Sequence, residues 1–156
     1  MNIPPFQSFL DEQRETVFRF LVAMLGPDDA EDVFQETFIS ALRAYSRLKP
    51  DSNVRAWVLT IAHRKAIDAV RARKRRPLPV DEVPETAVHD GRPSEEPELW
   101  AAARELPAAQ REALLYRFAA DLPYSDVAEA LGTSEEAARQ RVSEGVQRLR
   151  KALQPA

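Results

Sequence analysis

The chain has 156 residues, 44% of them hydrophobic and 30% charged, with a formal net charge of -3. With no cysteine, and only His63 and His89 as imidazoles, it excludes a disulfide framework and any zinc site built on cysteine and histidine, so neither metal nor cofactor is expected. No run approaches the roughly 18 apolar residues of a membrane span, and the N-terminus lacks the basic-then-apolar order of a secretory signal, so stable membrane insertion is not expected and a cytoplasmic location is.

The small net charge conceals a block. Residues 51–76 carry eight basic and two acidic side chains, whereas 77–105 carry two and eight. Exposed charges are screened over about 10 Å at 0.1 M salt, so a ligand at 51–76 feels that segment rather than the chain average. A polyanion fits there.

The spacing predicts a first helix from about Phe6 to Leu25, with Phe9, Leu10, Val17, Phe18, Leu21, Val22 and Leu25 inward, ended by Gly26-Pro27. A second is expected from Asp28 or Asp29, where a carboxylate can cap free N–H groups, to near Lys49-Pro50, with Ala30, Val33, Phe34, Phe38, Ala41, Leu42 and Tyr45 inward. A third starts at Ser52 or Asn53 and runs to about Arg76, burying Val54, Trp57, Val58, Ile61 and Ala62 while its far end becomes almost wholly basic. From Pro77 to Pro97 fall five of the twelve prolines, with acids and few large apolar side chains, which reads as a flexible linker. Beyond it the chain reads as helical nearly throughout, with Pro107 and Pro123 marking starts. No strand pattern and no repeat is present, so the expected fold is all-α: two small helical domains, 1–76 and 98–156, joined by a linker over 77–97.

Three stretches carry the chemistry. In DAEDVFQETF, residues 29–38, Asp29 and Glu31 suit a helix start, while Asp32, Gln35, Glu36, Ile39 and Arg43 follow helical spacing along one polar face interrupted by an isoleucine. That face is either simply solvated or a protein-binding surface; a catalytic pair would need a complementary His or Lys that the spacing does not supply. RKAIDAVRARKRR, residues 64–76, aligns Thr60, Arg64, Ile67, Asp68, Arg71 and Arg75 on one side, an array that can neutralise phosphates, with Trp57 and His63 near enough to stack on exposed bases. The alternative is that Trp57 is core and the basic end merely solvated. In PYSDVAEALGTSEEAARQRVSEGVQRLRKAL a short helix from about Tyr124 to Leu131 ends at Gly132, and a second begins at Thr133 or Ser134, with Glu136 completing a Thr-x-x-Glu capping box. Ala128, Gly132 and Ala138 then take the small, turn and inward positions of a helix-turn-helix, with Val127, Leu131, Val142, Val146, Leu149 and Leu153 on its core side.

With these stretches in order, the chain resembles the extracytoplasmic function group of bacterial RNA polymerase sigma factors, small two-domain members of the sigma-70 family. DAEDVFQETFISALRAY, NVRAWVLTIAHRKAIDAVRARKRR and LPAAQREALLYRFAADLPYSDVAEALGTSEEAARQRVSEGVQRLRKAL follow the family's order from Asp29 to Leu153.

The resemblance implies a non-enzymatic specificity subunit that binds core RNA polymerase, directs it to promoters through their minus-10 and minus-35 elements and promotes DNA melting. It places Asp32, Gln35 and Glu36, with Ile39 and Arg43 on the same face, against the clamp coiled coil of the β′ subunit, and the second domain against the β flap. It assigns unpaired minus-10 bases to the loop Lys49 to Asn53, including Asp51, Ser52 and Asn53, and to Arg55, Trp57, Thr60, His63, Arg64, Asp68 and Arg71. It assigns minus-35 duplex to Arg139, Gln140, Arg141 and Ser143, with Tyr116, Arg117, Ser125, Thr133 and Ser134 as backbone contacts. An anti-sigma factor is a further implied partner. The chain departs from the family pattern at Ala138, Glu144 and Val146, and Glu135 and Glu136 add negative charge at the groove-entering end. Those departures motivate a second reading: a sigma-like interaction protein that sequesters an anti-sigma factor or polymerase without productive promoter binding.

Overall fold

The computed structural model describes residues 4–75 and 97–154, and every regular element among them is helical. The expected linker lies outside the described residues except at Pro97, where a helix begins.

In the N-terminal lobe, α1 (Phe6–Leu25), α2 (Pro27–Tyr45) and α3 (Val54–Arg75) pack pairwise against one another. Gly26, at φ 86°, lets the chain reverse between the first two in a conformation that disfavours any side chain. Pro27 then opens α2, so the expected carboxylate cap does not form. Asp28 and Asp29 still lie at the positive end of the helix, and Asp29 pairs with Arg73 of α3. At α3, Asn53 Oδ1 accepts from the Ala56 N–H at 3.1 Å and caps the start. Aromatic rings from all three helices fill the middle: Phe9 meets Phe38, Tyr45 and Trp57 at centroid distances of 6.1, 5.0 and 5.9 Å. Leu42, expected inward, is 57% exposed, because no neighbouring helix covers that edge of α2.

In the C-terminal lobe, α4 (Pro97–Arg104) and α5 (Ala108–Leu114) lead into one π-helical turn, Leu115–Ala119, then α6 (Tyr124–Leu131) and α7 (Glu135–Leu153). Ala113, Leu114, Leu115 and Tyr116 are buried in succession. Four consecutive helical residues point most of the way round the axis, so this segment is covered on both sides. Leu114 packs on α7, where Gly145 leaves room for it, while Tyr116 faces α1. Gly132 ends α6 in the left-handed conformation, φ 66° and ψ 39°, as expected of a glycine after a helix. Ser134 alone caps α7, its Oγ accepting from the Ala137 N–H at 3.1 Å, which replaces the Thr133–Glu136 box anticipated from the sequence. Leu153, placed on the core side by its spacing, is 45% exposed at the end of α7.

The two lobes share an interface. Phe20 and Tyr116 stack at 5.2 Å, the Arg19 Nε donates to the Ala119 carbonyl at 2.8 Å, and the Arg104 Nε donates to the Ala23 carbonyl at 3.1 Å. Phe20, Ala23, Met24, Tyr116, Ala119 and Leu122 are thereby buried in one continuous apolar core that spans both lobes. Arg104 is taken far enough from water that burial lowers its pKa, and the Ala23 carbonyl meets one of its donors.

Candidate polymerase and nucleic-acid interfaces

Asp32, Gln35, Glu36, Ile39 and Arg43 are all exposed on α2, on the side away from Val33, Thr37 and Ala41. Ile39 is 50% exposed, and Leu42 beside it extends the apolar strip. Two large hydrophobic side chains thus stand in water between acids and an arginine, an apolar centre with a charged rim. Leu42 was expected inward and not on this face. Its position one residue before Arg43 and three after Ile39 was the available signal.

The residues expected to meet minus-10 DNA are brought together on α3 and the loop before it, in several different settings. Asp51, Asn53, Arg55, Arg64, Asp68 and Arg71 are exposed; Ser52, Trp57, Thr60 and His63 are half-buried. Trp57 packs its ring against Phe9 and Tyr45 and is half-buried, so it is largely a core residue. Arg55 Nε donates to Gln13 Oε1 at 3.1 Å, and the Thr60 hydroxyl donates to the Trp57 carbonyl at 2.7 Å. Thr60, His63, Arg64, Ile67, Asp68 and Arg71 line one side of a groove whose other side is Tyr116 and Ala130 of the C-terminal lobe.

His63 is the joint of that groove. Its ring lies 5.7 Å from the Tyr116 ring, and its Nε2 is 3.1 Å from a carboxylate oxygen of Glu112 on α5. The nitrogen makes no aligned hydrogen bond, so the two groups meet by distance, and the contact is ionic only where the imidazole is protonated. Contact with His63 holds the Glu112 carboxyl below its ordinary value against the raising effect of burial, helped by the charges of Arg111 and Arg141. Burial chiefly, and Glu112 next, push the Tyr116 phenol well up. Glu112 was missed from the sequence, where it is one acid in a helix of mixed charge.

In the helix-turn-helix, Ser125, Ser134, Arg139, Gln140 and Ser143 are exposed, Thr133 and Arg141 half-buried. Tyr116, expected as a backbone contact of this lobe, is only 2% exposed, because it is the ring that seals the interface with α1 and α3. Arg117 is half-buried, its Nη1 donating to the Leu122 carbonyl at 2.9 Å. α7 packs on α4, α5 and α6 of its own lobe, leaving the side that carries Arg139 and Gln140 open to solvent. The face expected to meet minus-35 DNA is thus accessible while the groove over α3 is partly covered.

Two family models match the chain: Sigma-70 region 2 over residues 10–76, and Sigma-70, region 4 over 102–151. The extracytoplasmic function sigma factor SigC of Mycobacterium tuberculosis is 30% identical over 142 residues, covering 88% of this chain and 77% of SigC. The chain belongs to the sigma-70 family, in its extracytoplasmic function group. CarQ of Myxococcus xanthus, also an RNA polymerase sigma factor, is 29% identical over 133 residues, covering 80% of this chain and 74% of CarQ. Among solved structures, the sigma factor RpoE of Bartonella quintana, in complex with the anti-sigma factor NepR, matches the fold with a TM-score of 0.74 at 23% identity over 95% of this chain and 96% of that one. CnrH, in complex with the cytosolic domain of CnrY, matches at 0.65 and 19% identity, over 95% and 86%. This sigma factor directs RNA polymerase to promoters, and its α2–α3 and α6–α7 segments fall within regions 2 and 4. No helix among the described residues is long and apolar enough to cross a membrane.

Proposed function

We propose that residues 1–76 dock this sigma factor on core RNA polymerase and capture the minus-10 element, and that 98–156 read the minus-35 element as duplex. The exposed strip of Ile39 and Leu42 with Asp32, Gln35, Glu36 and Arg43 around it is the observation that carries the reading, since it is an apolar surface the lobe itself leaves uncovered. Its partner is the clamp coiled coil of the β′ subunit. The acids set orientation and encounter rate against basic groups there, and the apolar pair supplies contact that outlasts salt.

On α3, Arg64 and Arg71 hold phosphates of the non-template strand while Asn53, Trp57, Thr60 and His63 receive unpaired bases. Extruding a base costs a few kcal/mol, and a preformed surface that binds the extruded form offsets that cost, so melting needs no ATP. In the closed arrangement His63 is engaged with Glu112 and Tyr116, so capture requires the lobes to separate. Arg139, Gln140, Arg141 and Ser143 of α7 meet the major groove, with Ser125, Thr133 and Ser134 on phosphates and the β flap of polymerase against the same lobe. An anti-sigma factor is the further partner, a reading supported by the complex in which Bartonella quintana RpoE was solved.

The deciding experiment pairs run-off transcription with core binding. Reconstituted with core polymerase on a promoter library, the chain should give discrete start sites. Asp32→Ala with Glu36→Ala should weaken core binding and leave the melting temperature unchanged. Stable core binding without any start site would favour a sequestering protein instead.

A further inference from the structure

Arg139, Tyr124 and Glu135 form one assembly at the mouth of the helix-turn-helix. The Arg139 guanidinium lies over the Tyr124 ring at 4.4 Å from its centroid, and its Nη2 donates to Glu135 Oε1 at 3.1 Å. The same ring carries a second guanidinium, that of Arg117, at 4.5 Å. Arg117 is itself tied down by its bond to the Leu122 carbonyl. A chain of contacts therefore runs from the backbone after the π-helical turn, through Arg117 and the first helix of the motif, to an arginine on the second.

Side chains of Arg139 and Glu135 are 58% and 51% exposed, so their ion pair adds little to stability. What the two contacts change is geometry. An exposed arginine samples many rotamers, and one whose face rests on an aromatic ring while one nitrogen is held by a carboxylate samples few. Glu135 engages a single nitrogen, and a guanidinium has five donors in a planar fork. The remaining edge suits the two acceptors, O6 and N7, that guanine presents in the major groove. An acid at the groove-entering end of a DNA-reading helix would otherwise repel phosphate; paired with Arg139, its charge is compensated within the protein.

We infer that Tyr124 and Glu135 are positioning residues that hold the Arg139 guanidinium edge-on for a guanine of the minus-35 element, making Arg139 the main specificity-determining side chain of α7. The inference rests on α7 being the minus-35 reading helix. Arg117, over the same ring, acts as a brace of Tyr124 rather than as a phosphate contact.

The test is transcription by reconstituted holoenzyme from a promoter library randomised across the minus-35 element, with base preference at each position as the readout. Arg139→Ala should abolish a guanine preference at one position. Tyr124→Ala and Glu135→Ala should each lower the preference at that same position by about tenfold, while Tyr124→Phe, which keeps the ring, should retain it. A merely structural role would reduce transcripts from all library members alike and leave the preference ratio intact, and that result with Tyr124→Ala would overturn the inference. An Arg139→Ala holoenzyme with unchanged preferences at every position would overturn the minus-35 reading of α7 as well.

Discussion

His63, on the α3 face proposed to meet minus-10 DNA, lies 3.1 Å from the Glu112 carboxylate on α5, so this contact helps tie that face to the other lobe. On the proposed function the contact competes with DNA for the same imidazole, and an acid at that place disfavours phosphate beside it. Glu112→Ala should therefore shift the free protein toward separated lobes. For a part-buried pair worth up to about 1 kcal/mol, affinity for a single-stranded minus-10 oligonucleotide should rise by up to about fivefold. The chain has no cysteine, so dyes placed by Arg47→Cys and Glu129→Cys report lobe separation specifically. No change in either dye distance or affinity would remove Glu112 as a latch.

The same carboxylate sets a pH dependence. Glu112 titrates below the ordinary value of 4.5 when the lobes are closed. An acid with a depressed pKa favours the state that depresses it: its contribution to closure is complete above 4.5 and is lost as pH falls through the lowered value. The dye-labelled protein should open at the acid end of its folded range, and Glu112→Gln should remove that part of the profile. An identical acid limb in both proteins would assign the opening to other carboxylates.

Phe20 and Tyr116 show where sequence reasoning stopped. The bounds of α1, the turn glycine before α7 and part of the N-terminal core, Phe9, Val17, Leu21, Val33, Phe38, Val58 and Ala62, were legible because each rests on local chemistry: a Gly-Pro stop, a residue that tolerates positive φ, a period of 3.6. The lobe interface rests on pairs far apart in sequence, such as Arg19 with Ala119 and His63 with Glu112, which periodicity along one helix does not encode. Its trace in the sequence is FRFLVAML, residues 18–25, apolar on more than one side, as a helix covered on two faces must be. Leu42 failed for the opposite reason. It lies at the edge of the apolar stripe, and whether such a residue is inside depends on how far the next helix reaches. The individual roles along α2, α3 and α7 came from resemblance, whereas Glu112 and the Tyr124 stack emerged only from tertiary packing.

Ile39 and Leu42 give the sharpest check on the docking strip. Each is at least half exposed, so truncation to alanine should change fold stability by no more than about 0.5 kcal/mol. If both insert into the partner, each truncation should weaken core-polymerase binding by about 1–2 kcal/mol, and the losses should persist at high salt where those of Asp32→Ala and Glu36→Ala fade. Titration of labelled core polymerase at two ionic strengths, with a thermal melt of each variant, separates the two kinds of contact. Salt-independent wild-type affinity for both variants would exclude the strip as the docking centre.

Gly145 governs the packing of the C-terminal lobe. A Cβ built there would lie 2.9 Å from the Leu114 Cδ1, and Leu114 is only 1% exposed, so its side chain has little room to yield. Glycine inside a helix is itself unfavourable by about 1 kcal/mol relative to alanine, which means its presence in α7 is sustained by the close approach of α5. Alanine recovers helix propensity while overpacking the contact, so Gly145→Ala should change stability little. Valine adds two methyl groups against the same side chain and loses the propensity gain; Gly145→Val should destabilise the protein by about 1–3 kcal/mol. Chemical denaturation measures this directly, and the double variant Gly145→Val with Leu114→Ala should regain part of the loss. A Gly145→Val protein as stable as the parent would mean that α5 and α7 are not in close contact along this line.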